Sequence, residues 1–170
     1  MKDTNMQLRN LEFVSLDDIA SEVSRLSALR YRRRGNWGLA ATCEHLADWM
    51  SFPMDGFPKM SLRIQCLISL LRAFQGKRLF RKILTAKEMA RGAPTIPATI
   101  HAASVDDASA VERYLQCIER LKTYRGTIHP SPLFGPMTYD ELIALQCIHA
   151  AHHLRFLEPE ESADRESRSN

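Results

Sequence analysis

The sequence predicts an all-α protein built as a four-helix bundle. Three observations carry that reading. Apolar residues recur at spacings of three and four, the periodic segments open on helix-capping residues, and no stretch alternates apolar with polar residues as a strand would. The 170 residues and 19.4 kDa amount to one domain, large enough to bury a core without disulfides. Hydrophobic residues at 45% and charged residues at 25% are ordinary for a globular chain, which excludes the fibrous and disordered classes.

Residues 1–14 read as an extended lead-in that ends on the apolar Leu11, Phe13 and Val14. Ser15 then starts a helix, with Asp17 and Asp18 in the first turn, where the helix dipole favours anions. Ile19, Val23, Leu26 and Leu29 or Arg30 form its stripe, and Gly35 is read as its stop. A second helix follows Asn36-Trp37-Gly38 and runs to about Ser51, where Phe52-Pro53 breaks it. Its apolar face holds Leu39, Cys43, Leu46, Trp49 and Met50.

After a turn with Pro53, Gly56 and Pro58, residues 61–74 are apolar on most sides, the pattern of a helix buried between others. A further short helix is read within Lys77 to Met89. Residues 91–105 lack periodicity and carry two prolines, which reads as an irregular loop of the length that serves as a lid or binding segment. Asp106 or Asp107 caps the next helix, with Val111, Leu115, Ile118 and Leu121 inward. Thr127 to Pro136 is a second proline-rich loop. Thr138 caps the final helix and Glu141, three residues on, completes a capping box. That helix is read through Leu142, Leu145, Ile148 and Phe156 to Leu157, which bounds a single domain over residues 1–157. The polar run from Glu158 to residue 170 reads as a disordered tail.

Composition narrows the function classes. Cys43, Cys66, Cys117 and Cys147 form no C-x-x-C pair and sit in apolar helical patterns, as buried reduced thiols of a cytoplasmic protein do. No apolar signal segment follows the first residues, and charges break every apolar stretch before membrane-spanning length. The net charge is +3, with basic runs at Arg30 to Arg34 and Lys77 to Lys82. The first run stands just before Gly35 and is read as the solvated last turn of a helix in preference to a nucleic-acid footprint.

The residues that carry chemistry are histidines. His149 and His153 lie four apart, so they share the face that continues Leu142 and Leu145, and both point inward. His152 is a rival for His153, because positions 149 and 152 are also neighbours on a helix. His45 lies on the edge of the second helix's buried face. Together they make a tri-histidine site for one divalent metal, with positions left open for water or substrate. The plainer reading is that a histidine on an apolar face is a hydrogen-bonded core residue. Glu44 and Asp48, four apart, are read as solvated surface or, more sharply, as partners that orient His45. No G-x-S-x-G elbow, P-loop, dinucleotide fingerprint or H-E-x-x-H occurs.

Around these residues the chain resembles the DinB-like superfamily. There, a tryptophan-led turn like Asn36-Trp37-Gly38-Leu39 precedes a ligand histidine like that in Cys43-Glu44-His45-Leu46-Ala47, and an H-x-x-x-H pair like His149 and His153 follows. The chain is most similar to a bacterial branch described only as a domain of unknown function. In that branch the counterparts of Gly35 to Trp37, His45 to Ala47, Asp55 to Pro58, His129 to Pro136 and His149 to Leu154 recur in this order.

The resemblance implies an up-down-down-up bundle and a site for Zn, Ni, Fe or Mn, with His153 as third ligand in preference to His152. It leaves open whether His129 takes part. It also implies a metal-dependent thiol S-transferase using a low-molecular-weight thiol, and an assembly that extends to homodimers. In that reading loops 91–105 and 127–136, with Phe134, shape the pocket and Arg155 meets an anionic thiol. The alternative is a non-catalytic metal or small-molecule binding protein of the stress response. A nucleic-acid binder through Arg30 to Arg34 ranks last.

Overall fold

The computed structural model describes residues 8–90, 99 and 106–160. The protein is mostly helical: α1 (Leu16–Ala28), α2 (Leu39–Asp55), α3 (Leu62–Leu71), α4 (Lys77–Ala86), α5 (Asp107–Thr123) and α6 (Tyr139–Leu154). Two three-residue strands, β1 (Tyr31–Arg33) and β2 (Leu157–Pro159), pair antiparallel, with Tyr31 opposite Pro159 and Arg33 opposite Leu157.

The core lies where α1, α2, α5 and α6 meet. Ile19, Val23 and Leu26 of α1 pack with Leu39, Leu46 and Met50 of α2, Tyr114, Ile118 and Leu121 of α5, and Leu142 and Leu154 of α6. Each such side chain removed from water contributes about 1.5–3 kcal/mol before entropy is set against it. The predicted capping box at Thr138 forms, and Ser15, predicted as a helix start, makes a second one. The Ser15 side chain accepts from Asp18 N while Asp18 accepts from Ser15 N, and Thr138 and Glu141 reciprocate likewise.

Three helix boundaries and one burial pattern differ from the sequence reading. The first helix ends at Ala28, not Gly35, because Arg30 to Arg34 is drawn into the sheet and not into a last helical turn. Arg34 N donates to Phe156 O at 2.8 Å, and Glu160 N to Arg30 O at 2.7 Å. The final helix stops at Leu154 for the same reason, since Leu157 to Pro159 forms the other strand. Glu158, read as the start of the tail, is therefore held in β2, where Arg34 Nε donates to it at 2.7 Å. The remainder of that predicted tail, residues 161–170, lies outside the described residues.

The second helix continues through Pro53 to Asp55. Proline has no N–H to offer the carbonyl four residues back. That carbonyl, Trp49 O, instead accepts from Gln146 Nε2 of α6 at 3.2 Å. The helix stops at Gly56, whose φ of 100° suits a residue without Cβ.

The fourth difference is the largest. The apolar segment 61–74, predicted to be buried between helices, has no buried residue in α3. It runs on through a π-helical turn (Arg72–Gly76) into α4, and only Gly76, Phe80 and Ile83 of the turn and α4 are buried. The cysteines divide too: Cys43 and Cys147 are buried, whereas Cys117 is half-buried and Cys66 exposed. No helix among the described residues is long and apolar enough to cross a membrane.

Candidate metal centre

The centre is built by the start of α2 and the end of α6. Gly38, at the N-cap of α2, has no side chain with which to hold the first-turn amides. Other elements do so. Leu39 N donates to Tyr31 Oη at 3.0 Å, and Ala40 N to Asp107 Oδ1 at 2.9 Å. Tyr31 in turn donates to Asp107 Oδ2 at 2.9 Å. Strand β1 and helix α5 thereby anchor the turn that carries Trp37 and the helix that carries His45. On the other side, the Thr138 cap sets the start of α6, which places His149 and His153 in its last two turns, facing α2.

The side chains of His45, His149 and His153 converge. One ring nitrogen from each lies within 4.8 Å of the other two, an arrangement that could hold a metal ion. His45 and His149 are buried and His153 is half-buried. His45 Nδ1 lies 3.1 Å from the carbonyl oxygen of Thr99. A carbonyl only accepts, so Nδ1 carries the hydrogen and Nε2 presents its lone pair. That Nε2 is 3.2 Å from His149 Nε2. Two nitrogens bound at ~2.0–2.1 Å to a tetrahedral ion stand about 3.3 Å apart, so the pair is already at chelating distance.

Electrostatics favour neutral rings. Burial, reinforced by neighbouring His153, His45 and His152, holds His149 well below the usual histidine range. Burial, with His45 and His152 beside it, lowers His153 to about 3. Imidazoles kept unprotonated at neutral pH are the form that ligates metal.

A model of a family described as a protein of unknown function, DUF1569, matches residues 5–160. The chain belongs to that family. No curated protein and no solved structure matches it.

In this DUF1569 chain the histidines sit between aromatic walls. Trp37 stacks on His153, with ring centroids 5.3 Å apart and planes within 10°. The Trp37 ring is also 4.9 Å from His45, and Trp49 lies edge-on to His149 at 5.8 Å. Such walls exclude water and limit the rotation of the imidazoles. Of the two rivals, His153 is the one in the cluster. His152 packs instead between His153, at 5.0 Å, and Phe156, at 6.3 Å. His129 is exposed, its backbone N–H held by Pro53 O at 2.8 Å, and it is not in the group.

Other expected participants have different roles. Glu44 and Asp48 are bridged by Arg113 of α5, whose Nη1 and Nη2 reach them at 2.5 and 2.6 Å, so they brace α2 against α5. Arg155 donates to Glu88 at 3.0 Å. Phe134 packs on Phe80 at 5.3 Å and lines a cleft with Arg72, Arg78 and Arg81. Loop 91–105 lies outside the described residues apart from Thr99. That Thr99 carbonyl is a partner of His45 that no sequence motif signals, since every residue carries such a group.

Proposed function

We propose that the chain is a DinB-like four-helix bundle, with α1, α2, α5 and α6 as the bundle and α3 and α4 in the crossover between α2 and α5. In this reading His45, His149 and His153 hold one divalent cation, and the metal-loaded protein is a cytoplasmic enzyme that uses a low-molecular-weight thiol. The observation that carries it is the convergence of three ring nitrogens within 4.8 Å in a buried, aromatic-walled site. The all-nitrogen donor set suits zinc, nickel or iron better than magnesium or calcium, which take oxygen ligands. A bound divalent cation would supply the charge that converts a thiol to its thiolate.

The two buried thiols, Cys43 and Cys147, do not compete for that role. Burial pushes Cys147 up to about 11 and Cys43 higher still, so both stay protonated, and the reacting thiol would come from solution. The residues' part is to keep three lone pairs aimed at one point. Thr99 O fixes the His45 tautomer, and Trp37 holds the plane of His153. The same geometry also serves a non-catalytic metal or small-molecule binder.

Elemental analysis of the purified protein tests the first step. One equivalent of metal is expected in the native chain, and less than a tenth of that in His45→Ala and His149→Ala. Unchanged metal in these variants would sink the assignment. Cobalt-substituted protein then tests the second step. A thiolate-to-cobalt band with one thiol, together with turnover of a model electrophile, supports the enzyme, whereas neither signal leaves the non-catalytic binder.

A further inference from the structure

Helix α3, the π turn and α4 present an apolar face against which none of the described residues packs closely enough to bury it. Ile64, Leu67, Ile68 and Leu71 follow the i, i+3, i+4, i+7 rule of one helix face, flanked by Leu70 and Phe74. Among them Leu67 and Leu70 are each 58% exposed and Phe74 78%. An apolar patch of this kind on a folded protein marks a docking surface.

Charge identifies what docks. From Gly56 to Lys87 the sequence holds Lys59, Arg63, Arg72, Lys77, Arg78, Arg81, Lys82 and Lys87 and no Asp or Glu. Only Lys87 of these makes an ion pair among the described residues, with Glu12. Arg72, Lys77, Arg78 and Arg81 line a cleft of about 920 Å³ whose other wall is Pro130, Phe134 and the residues beside them. The cleft adjoins the end of the apolar face at Phe74. Leucine and phenylalanine beside a dense cationic surface, with no acidic residue in its own segment, are complementary to an interface that is apolar below and anionic above.

We propose that α3, the π turn and α4 lie on an anionic lipid surface, with the Ile64–Leu67–Leu71–Phe74 face in the acyl boundary and Arg72, Arg78 and Arg81 on headgroup phosphates. A helix lying in the interface needs no membrane-spanning length. A second copy is the poorer occupant, because pairing the same faces brings two uncompensated cationic segments together. Nucleic acid would leave the apolar face uncovered. The inference is independent of the metal reading.

Sedimentation of the full chain with phosphatidylcholine vesicles, with and without phosphatidylglycerol, tests it. Binding is expected with the anionic vesicles, at least tenfold weaker binding with phosphatidylcholine alone, and release by 0.5 M salt. Arg78→Ala with Arg81→Ala should weaken binding by about 25-fold, at about fivefold per cation. Leu67→Glu, at an exposed position that leaves the fold intact by circular dichroism, should abolish it. The proposal is overturned by no sedimentation, by equal binding to both vesicles, or by displacement with millimolar inorganic phosphate, which would make the cleft a small-anion site. It is also overturned if sedimentation velocity shows a dimer that Leu67→Glu dissolves while the vesicles bind nothing.

Discussion

Asp107 holds the beginning of α2 from another helix. Its two oxygens take Ala40 N and the Tyr31 hydroxyl, each at 2.9 Å, while the cap of its own helix is Asp106. Asp107→Ala leaves an amide and a hydroxyl without their acceptor, at a cost of about 1–2 kcal/mol. A thermal midpoint lower by roughly 2–4 °C for each kcal/mol is expected in scanning calorimetry, with Asp107→Asn recovering part of it. An unchanged midpoint would mean that solvent takes over both partners at no cost. The contrast with Ser15 and Thr138 shows what is legible at this scale. Those caps find their partner three residues away and announce themselves as a pattern, whereas Asp107 meets Ala40 across 67 residues. The histidines belong between these cases. Their spacing on α6 and the apolar neighbours of His45 mark the group. Spacing alone leaves His152 and His153 as rivals, the ordered motifs prefer His153, and only the role of Thr99 needs the fold.

At the scale of elements, periodicity located the helices and misjudged two of their surroundings. The three residues Tyr31-Arg32-Arg33 carry no apolar alternation long enough to read, and their pairing with Leu157 to Pro159 is a long-range event that local pattern cannot contain. Helix α3 departs from its predicted burial for a different reason, since apolarity reports what a surface prefers and not whether the chain covers it. The join between α3 and α4 offers a direct check. At Gly76 an added Cβ would sit 2.4 Å from the carbonyl oxygen of Leu133, a backbone atom in the turn closed by the Ser131 and Gly135 hydrogen bonds. Alanine ordinarily stabilises a helix interior relative to glycine by up to about 1 kcal/mol. Here the clash should reverse the sign, and Gly76→Ala is expected to lower stability by about 1–3 kcal/mol in urea unfolding. A stabilised variant would show that the π turn does not press on that loop.

Across the whole molecule, the neutral histidines link folding to pH and to metal. In the folded chain His149 lies well below its ordinary 6.5 and His153 near 3, both chiefly through burial, whereas the unfolded chain titrates near 6.5. Below pH 6.5 the unfolded state therefore binds more protons, so the stability of metal-free protein falls as pH drops from 6.5 toward 3 and is fully restored above that window. The slope reaches about 1.4 kcal/mol per pH unit for each proton taken up on unfolding. The carboxylates Asp18, Asp55 and Asp106 are held below 3.8 by their hydrogen bonds, and what they contribute is lost only as pH falls through that lower range. Denaturant midpoints between pH 4.5 and 6.5 thus sample the window in which His149 and His153 lose their contribution. Zinc or nickel adds the complementary lever, because an ion bound only by the folded state stabilises it by about 2.7 kcal/mol at a hundred times its Kd. That increment should shrink as pH falls and protons compete for the same lone pairs. His149→Ala with His153→Ala should flatten the pH slope and abolish the metal increment together. If the slope disappeared while the increment survived, the ion would be bound elsewhere. If the increment disappeared while the slope survived, the buried protons would belong to other groups, and a single cluster would no longer account for both effects.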